Sequence, residues 1–203
     1  MQLIKRGAEA DIYRAQWFGR DAILKTRNPK SYRNIELDTR LRRQRTIREA
    51  NMLHLVKSLG IHSPLVYFVN TKQHTIVMQY IEGKSIHSLN NSEILSHCDL
   101  MGQYTGLLHS AGIMHGDLTT SNFLYGDRLY LIDMGLSSRT TKPEDWAVDM
   151  RLIKEIFNSA HADIVHEAWD KLTSGYAKTM PQWRRVLKIT SDIEQRGRYA
   201  RVV

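Results

Sequence analysis

The hydrophobic patterning of this chain shifts near Glu82-Gly83 from mostly strand-like to mostly helical, and that shift restricts the folds open to it. Before it, apolar residues come in short runs rich in β-branched and aromatic side chains, the mark of strands. Residues 3–7, 12–18 and 22–26 read as three strands, with a turn at Gly19-Arg20-Asp21. From 37 to 59, Leu41, Ile47, Ala50, Met52, Leu53, Leu55 and Val56 recur at three- and four-residue steps, which predicts one amphipathic helix closed by Gly60. Residues 65–69 and 75–80 bracket the turn 70–74 as a hairpin. After Gly83 the period is helical, with Asn91-Ser92 as a cap region and Ile94, Leu95, Leu100, Tyr104, Leu107 and Leu108 as the buried stripe. Two short apolar runs, 123–125 and 129–132, interrupt it. The expected architecture is α+β in two lobes, a β-rich one over 1–82 and a helical one over 83–203, hinged at Gly83.

Composition narrows the class further. With 203 residues, 42% hydrophobic and 25% charged, the chain departs from disordered, collagenous and pure coiled-coil compositions. Its single cysteine, Cys98, has no internal partner for a disulfide, and charge enters the N-terminal residues before any long apolar run, so a cytoplasmic location is expected. No window approaches the roughly 20 apolar residues of a membrane-spanning helix. The formal net charge of +8 points toward a polyanionic partner.

The polar loop His115-Gly116-Asp117-Leu118-Thr119-Thr120-Ser121-Asn122 lies between helical segments, where chemistry is more often carried than in a core. Phosphoryl transfer needs a cation on the phosphates, carboxylate and amide ligands for a divalent metal, and a carboxylate to orient the attacking hydroxyl. In chain order those groups are Lys25 at the end of an apolar strand, Glu49 on the following helix as its partner, Asp117 and Asn122 in the loop, and Asp133 in Asp133-Met134-Gly135. Asp117 and Asn122 carry the spacing of the kinase catalytic loop, and Asp133-Met134-Gly135 stands where protein kinases carry Asp-Phe-Gly. Singly, each has a plain reading: Lys25 as a solvated strand end, Glu49 as a surface ion-pair partner, Asp117 as a cap, Asp133 as a turn residue. Their joint order favours the kinase reading. His115 is expected to pack and hydrogen-bond within the loop, since no histidine shows metal-ligand spacing.

Further segments, Arg6-Gly7-Ala8-Glu9-Ala10-Asp11-Ile12-Tyr13, Tyr32-Arg33, Leu37-Asp38, Leu41-Arg42, Arg45-Thr46-Ile47-Arg48-Glu49-Ala50, Ile132-Asp133-Met134-Gly135-Leu136 and Arg196-Gly197-Arg198, give the chain a resemblance along nearly its whole length. It resembles the PRPK family, the small atypical Bud-type serine/threonine kinases of the KEOPS (EKC) complex, which supports threonylcarbamoyladenosine modification of tRNA. The resemblance implies a minimal two-lobed protein-kinase-like fold binding ATP with Mg2+ or Mn2+. It places Lys25 on the α- and β-phosphates paired with Glu49, Asp117 as the catalytic carboxylate, and Asn122 and Asp133 as metal ligands. It makes Gly7-Ala8 part of the nucleotide loop, Met78 the gatekeeper, the backbone of Gln79 and Ile81 the reader of adenine, and Leu124 part of the adenine floor. It implies an actin-like ATPase-fold KEOPS subunit bound through the helical lobe, other small KEOPS subunits, and no membrane.

Departures from ordinary protein kinases are as informative. The nucleotide loop keeps only Gly7, Gly116 stands in place of the arginine that receives an activation-loop phosphate, and no Ala-Pro-Glu motif follows Leu136. A peptide platform is therefore not expected, and a regulatory ATPase role fits. Asp149 resembles the helix carboxylate that braces the catalytic loop. A small-molecule kinase, a RIO-type kinase and a non-catalytic nucleotide-binding scaffold are the competing readings. Arg27, Lys30, Arg33, Arg40, Arg42, Arg43 and Arg45 form a basic segment, and Arg184, Arg185, Lys188, Arg196, Arg198 and Arg201 a basic C-terminus. Either run reads as a solvated face, and with the resemblance both read as contacting tRNA backbone or an acidic partner, with residues 196–201 expected to be a mobile tail.

Overall fold

The β-branched runs of the first 82 residues fold as a five-stranded antiparallel sheet: β1 (Gln2–Arg6), β2 (Ala10–Trp17), β3 (Arg20–Arg27), β4 (Val66–Asn70) and β5 (Thr75–Gln79), in the spatial order β1-β2-β3-β5-β4. The β2–β3 turn falls one residue earlier than the sequence suggests. Trp17 pairs with Arg20 across the two-residue loop Phe18-Gly19, whose φ angles of 47° and 77° are both positive. Two-residue hairpin loops of that geometry match the right-handed twist of the strands they join. Helix α1 (Ile35–Ser58) starts at Asn34, whose side chain accepts the N–H groups of Glu36 and Leu37, and ends before Gly60 at φ 83°. Ala50, Met52, Leu53 and Val56 of α1 join Ile76, Val77 and Met78 of β5 in the core. Earlier in the helix the buried residues are Asp38, Thr46 and Glu49, so polar contacts rather than apolar packing fix that half.

The computed structural model describes the backbone of residues 1–199 and side chains as far as Arg196. The chain divides into two compact units: Met1–Glu82 with Ile132–Gly135, and Gly83–Leu131 with Leu136–Val203. The Asp133-Met134-Gly135 segment, expected in the helical lobe, thus clusters with the first unit.

In the second unit, β6 (Lys84–Ser85), a single 3-10 turn (Ile86–Ser88) and α2 (Asn91–Ser110) come first. The α2 cap is Asn90, one residue before the expected region, with Glu93 completing a reciprocal capping box. Strands β7 (Ile113–Met114), β8 (Phe123–Tyr125), β9 (Leu129–Leu131) and β10 (Ser138–Arg139) form two small sheets, β6-β8-β9 and β10-β7. Helices α3 (Pro143–Ala160), α4 (Val165–Thr179) and α5 (Trp183–Tyr199) complete the unit. Helix α4 packs on α2 so closely that a Cβ on Gly102 would run into the Leu172 carbonyl, and one on Gly175 into that of Asp99. Consequently the buried stripe of α2 includes Cys98, Met101, Thr105 and His109 as well as Ile94, Tyr104 and Leu108. The terminal segment expected to be mobile has a helical backbone through Tyr199, and residues 200–203 lie outside the described residues. Among the described residues no helix is long and apolar enough to cross a membrane.

Candidate active site

In the first unit, side chains two apart on a strand share a face, so β3 presents Lys25 and Arg27 together. Both are buried, and both reach Glu49, a carboxylate with no solvent exposure. The Lys25 Nζ donates to Glu49 Oε1 at 2.6 Å and to Asp133 Oδ1 at 2.8 Å. The Arg27 Nη2 donates to Glu49 Oε2 at 2.5 Å, so each oxygen of the buried carboxylate has its own cation. The Asp133 Oδ1 also accepts the Gly135 N–H at 2.8 Å, closing the Asp-Met-Gly turn. A Cβ on Gly135 would lie 3.0 Å from Asp133 Oδ1 and 3.2 Å from Arg27 Nη2, so a side chain there would press on both groups.

Burial opposes the charge on Lys25, but Glu49 and then Asp133 outweigh it and hold the ammonium above its ordinary pKa. Burial pushes the Glu49 carboxyl up, with Lys25 and Arg27 pulling against it. Lys25, Arg27 and Glu49 therefore share one low-dielectric cluster, where pairing is required rather than optional, with the partly exposed Asp133 at its edge. On its outer side Arg27 Nη1 lies 4.0 Å from the Glu9 carboxylate, which is paired with Arg45 of α1.

The loop between β1 and β2 closes through the Gly7 N–H, which donates to the Ala10 carbonyl at 3.0 Å; a Cβ on Gly7 would lie 2.6 Å from that oxygen. The carbonyl of Ala8 accepts from Lys30 Nζ. Met78 is buried on β5 opposite Ile23, and Ile81 is buried beyond its end. The Gln79 N–H is committed to the Leu65 carbonyl at 2.8 Å.

In the second unit the start of the loop 115–122 hangs from one buried carboxylate. Asp149 Oδ2 accepts the His115 N–H at 2.5 Å and Oδ1 accepts the Gly116 N–H at 2.8 Å. His109 places Nε2 3.2 Å from Asp149 Oδ2 and Nδ1 2.8 Å from the Tyr176 hydroxyl. A carboxylate at Nε2 fixes that nitrogen as the proton donor and leaves Nδ1 to accept from Tyr176. Burial works to raise the Asp149 pKa, but the His109 hydrogen bond and the charge nearby carry it below the ordinary carboxylate value. His115 is buried, and its Nδ1 accepts the Asp117 N–H at 3.2 Å. Gly116 has φ 79°, and a Cβ on it would lie 2.6 Å from the Leu136 carbonyl, so this loop has no room for the arginine of His-Arg-Asp. Asn122 Nδ2 donates to the Asp117 carbonyl at 2.7 Å and to its Oδ2 at 3.0 Å. Leu124 sits half-buried on β8, paired with Ser85 and Tyr130.

The structure corrects the basic segment. Arg27 is a buried member of the Glu49 cluster, not part of a solvated run. Arg33 and Arg42 pair with Asp38, Arg45 with Glu9, and Lys30 with the Ala8 carbonyl. Arg40 and Arg43, with Arg48 beyond them, remain exposed on α1. Sequence reasoning missed Arg27 in the cluster and His109–Tyr176 behind Asp149. The two-residue step from Lys25 to Arg27 was the available signal for the first; the second joins residues far apart in sequence and had none.

The RIO domain family model matches residues 21–168. The KEOPS complex subunit Bud32 of Pyrococcus abyssi is 39% identical over 98% of this chain and 96% of its own length. Bifunctional tRNA threonylcarbamoyladenosine biosynthesis proteins of Methanocaldococcus jannaschii and Methanococcus maripaludis are 39% and 38% identical over 97% of this chain, which spans only 37% and 36% of their lengths. Among solved structures, the Rio2 kinase of Chaetomium thermophilum with ADP, Mg2+ and phosphoaspartate has a TM-score of 0.62 at 16% identity, covering 98% of this chain and 72% of that one. WaaP in complex with acyl carrier protein has a TM-score of 0.63 at 13% identity, covering 98% and 88%. These two likenesses establish a protein-kinase-like fold.

Proposed function

This chain belongs to the RIO domain family and to the Bud32 family, and from that premise we propose that it is an ATP-dependent atypical serine/threonine protein kinase and ATPase, the regulatory subunit of a KEOPS complex in tRNA threonylcarbamoyladenosine modification. The observation that carries this reading is the buried Lys25 bound to both Glu49 and Asp133, the arrangement a phosphate-binding lysine needs.

The donor set fits a nucleotide-bound Mg2+ or Mn2+. Asp133 offers a carboxylate with a side chain 38% exposed, and Asn122, its amide nitrogen turned to Asp117, offers an amide oxygen. Hard cations prefer such oxygen ligands. When bound, the metal offsets charge on the phosphates. Lys25 holds the α- and β-phosphates, and Glu49 keeps its ammonium charged and aimed. The Gln79 carbonyl and the Ile81 N–H read the adenine edge, since the Gln79 N–H is already committed; Gly7 and Ala8 border the phosphates, and Leu124 lies under the base. Asp117, anchored through the His115 and Gly116 N–H groups on Asp149, accepts the proton of the attacking hydroxyl or water.

We assign the partner surface to the second unit, for an actin-like ATPase-fold subunit. Relatives named bifunctional in which the region similar to this chain is about a third of the polypeptide support a constant association. Contact with tRNA phosphates is assigned to the exposed Arg40, Arg43 and Arg48 and to Arg184, Arg185, Lys188 and Arg196 on α5, in a cytoplasmic protein. The test is ATP turnover by wild type and Asp133→Ala, with and without an actin-fold KEOPS partner plus tRNA. Stimulated turnover that disappears in the variant is expected. Nucleotide binding with negligible turnover in every condition refutes the enzymatic reading and leaves a scaffold.

A further inference from the structure

Most of the Glu49 cluster serves the lysine-glutamate pair of any kinase fold, but Arg27 exceeds that requirement. A buried carboxylate with one cationic partner is free to turn its second oxygen elsewhere. Glu49 is denied that freedom, because Lys25 takes Oε1 and Arg27, from the same strand face, takes Oε2. Arg27 is itself anchored: its backbone N–H donates to the His74 carbonyl at 3.1 Å, and its side chain is 3% exposed. Its guanidinium also lies beneath Gly135 and within 4.0 Å of Glu9, two residues past Gly7. The alternation Arg45, Glu9, Arg27, Glu49, Lys25, Asp133 therefore runs from α1 and the nucleotide loop to the Asp-Met-Gly turn.

Charge balance gives the same result. With Arg27 the inner cluster holds Lys25 and Arg27 against Glu49 and Asp133. Without it, two carboxylates compete for Lys25 in a buried setting, where an unmatched charge is costly. In protein kinases the position of the glutamate helix is set by the activation segment and its phosphate. Here Gly116 excludes the arginine that would receive such a phosphate.

We propose that Arg27 is a positioning residue that locks Glu49, and through it Lys25, in the phosphate-binding arrangement, replacing activation-segment control with a permanent ion pair. This rests on the phosphotransferase reading above. The experiment compares the full chain, Arg27→Gln and Arg27→Lys with partner and tRNA present, following thermal midpoint, KM for ATP and kcat per folded molecule. In Arg27→Gln, kcat is expected to fall about tenfold or more while KM moves less than about threefold, and Arg27→Lys recovers most of the loss. A purely structural role would lower the midpoint and leave kcat per folded molecule unchanged, and that result overturns the proposal. If Arg27→Gln does not fold, Arg27→Lys alone decides: its kcat per folded molecule is expected to fall about twofold, because an ammonium cannot reach Glu49 and Glu9 together as a guanidinium does, and an unchanged kcat overturns the proposal. If wild type binds Mg-ATP without turnover, the enzymatic reading fails separately, and the readout becomes the Kd for Mg-ATP. About fivefold weaker binding in Arg27→Gln then sustains the positioning role, and equal binding overturns it.

Discussion

Replacing Asp149 by Asn tests whether the loop 115–122 is hung from one buried carboxylate. The substitution keeps size and shape, so packing is spared and the change is one of hydrogen bonding. Asp149 accepts three donors: the N–H groups of His115 and Gly116 at 2.5 and 2.8 Å, and His109 Nε2 at 3.2 Å. An asparagine oxygen can keep one side of this set, but its NH2 must face a donor on the other. One buried N–H is then left unmet, at about 1–3 kcal/mol, and the surviving bonds fall from charge-assisted to neutral, at about 1 kcal/mol more. The expected loss is therefore about 2–4 kcal/mol. Urea unfolding followed by the fluorescence of Trp146, Trp169 and Trp183, all in the second unit, reads it directly. With a urea slope of about 2–3 kcal/mol/M, the midpoint should drop by about 0.7–2 M. Turnover should fall alongside, because Asp117 is positioned through the same backbone. A midpoint within about 0.2 M of wild type would mean that the three bonds carry no net stability and that the loop is held by something else.

Gly116→Ala should destabilise the second unit by about 1–2 kcal/mol for the left-handed backbone alone, with more from the Leu136 carbonyl 2.6 Å from the new Cβ; a thermal midpoint equal to wild type would contradict this. Acidification should destabilise the fold through His161, whose pKa is held below 6.5 by burial first and by nearby His87 second. The unfolded chain then binds the proton first, so stability is intact above pH 6.5 and declines as pH falls below it. His74 and His97 are shifted the same way, chiefly by burial, and add to that slope. Comparing thermal midpoints at pH 7.5 and 5.5, the drop should shrink in His161→Gln; an unchanged drop would remove His161 from the account.

How far the sequence carried depends on what holds each element. Strands β2 to β5 and helix α1 are legible to within a residue or two because their β-branched runs and three- and four-residue steps are local signals. The Lys25–Glu49 pair is legible because residue type, element and order all point to it. Arg27 left only its two-residue step from Lys25 as a signal, because a buried arginine has the same letter as the other basic residues of that segment. The bridges β6, β7 and β10, two residues each, owe their existence to partners far along the chain and leave no period to detect. The same holds for His109 and Tyr176, 67 residues apart and in hydrogen-bond contact. The basic run 196–201 carries the helical backbone of α5 as far as Tyr199, and the rest of it lies outside the described residues.

Recombination puts the discontinuity of the first unit to work. Because Ile132–Gly135 clusters with Met1–Glu82 while both its flanks cluster with the second unit, the polypeptide changes unit at 82/83, at 131/132 and again at 135/136. A hybrid made by a single crossover at 82/83 draws Lys25, Arg27 and Glu49 from one parent and Asp133 and Gly135 from the other. Any drift between the parents then falls on the Lys25–Asp133 bond and on the fit of Arg27 under the glycine. Hybrids in which those four residues travel with the front segment keep the bonded set under one ancestry. The block that keeps these contacts together is therefore discontinuous in sequence, residues 1–82 with 132–135.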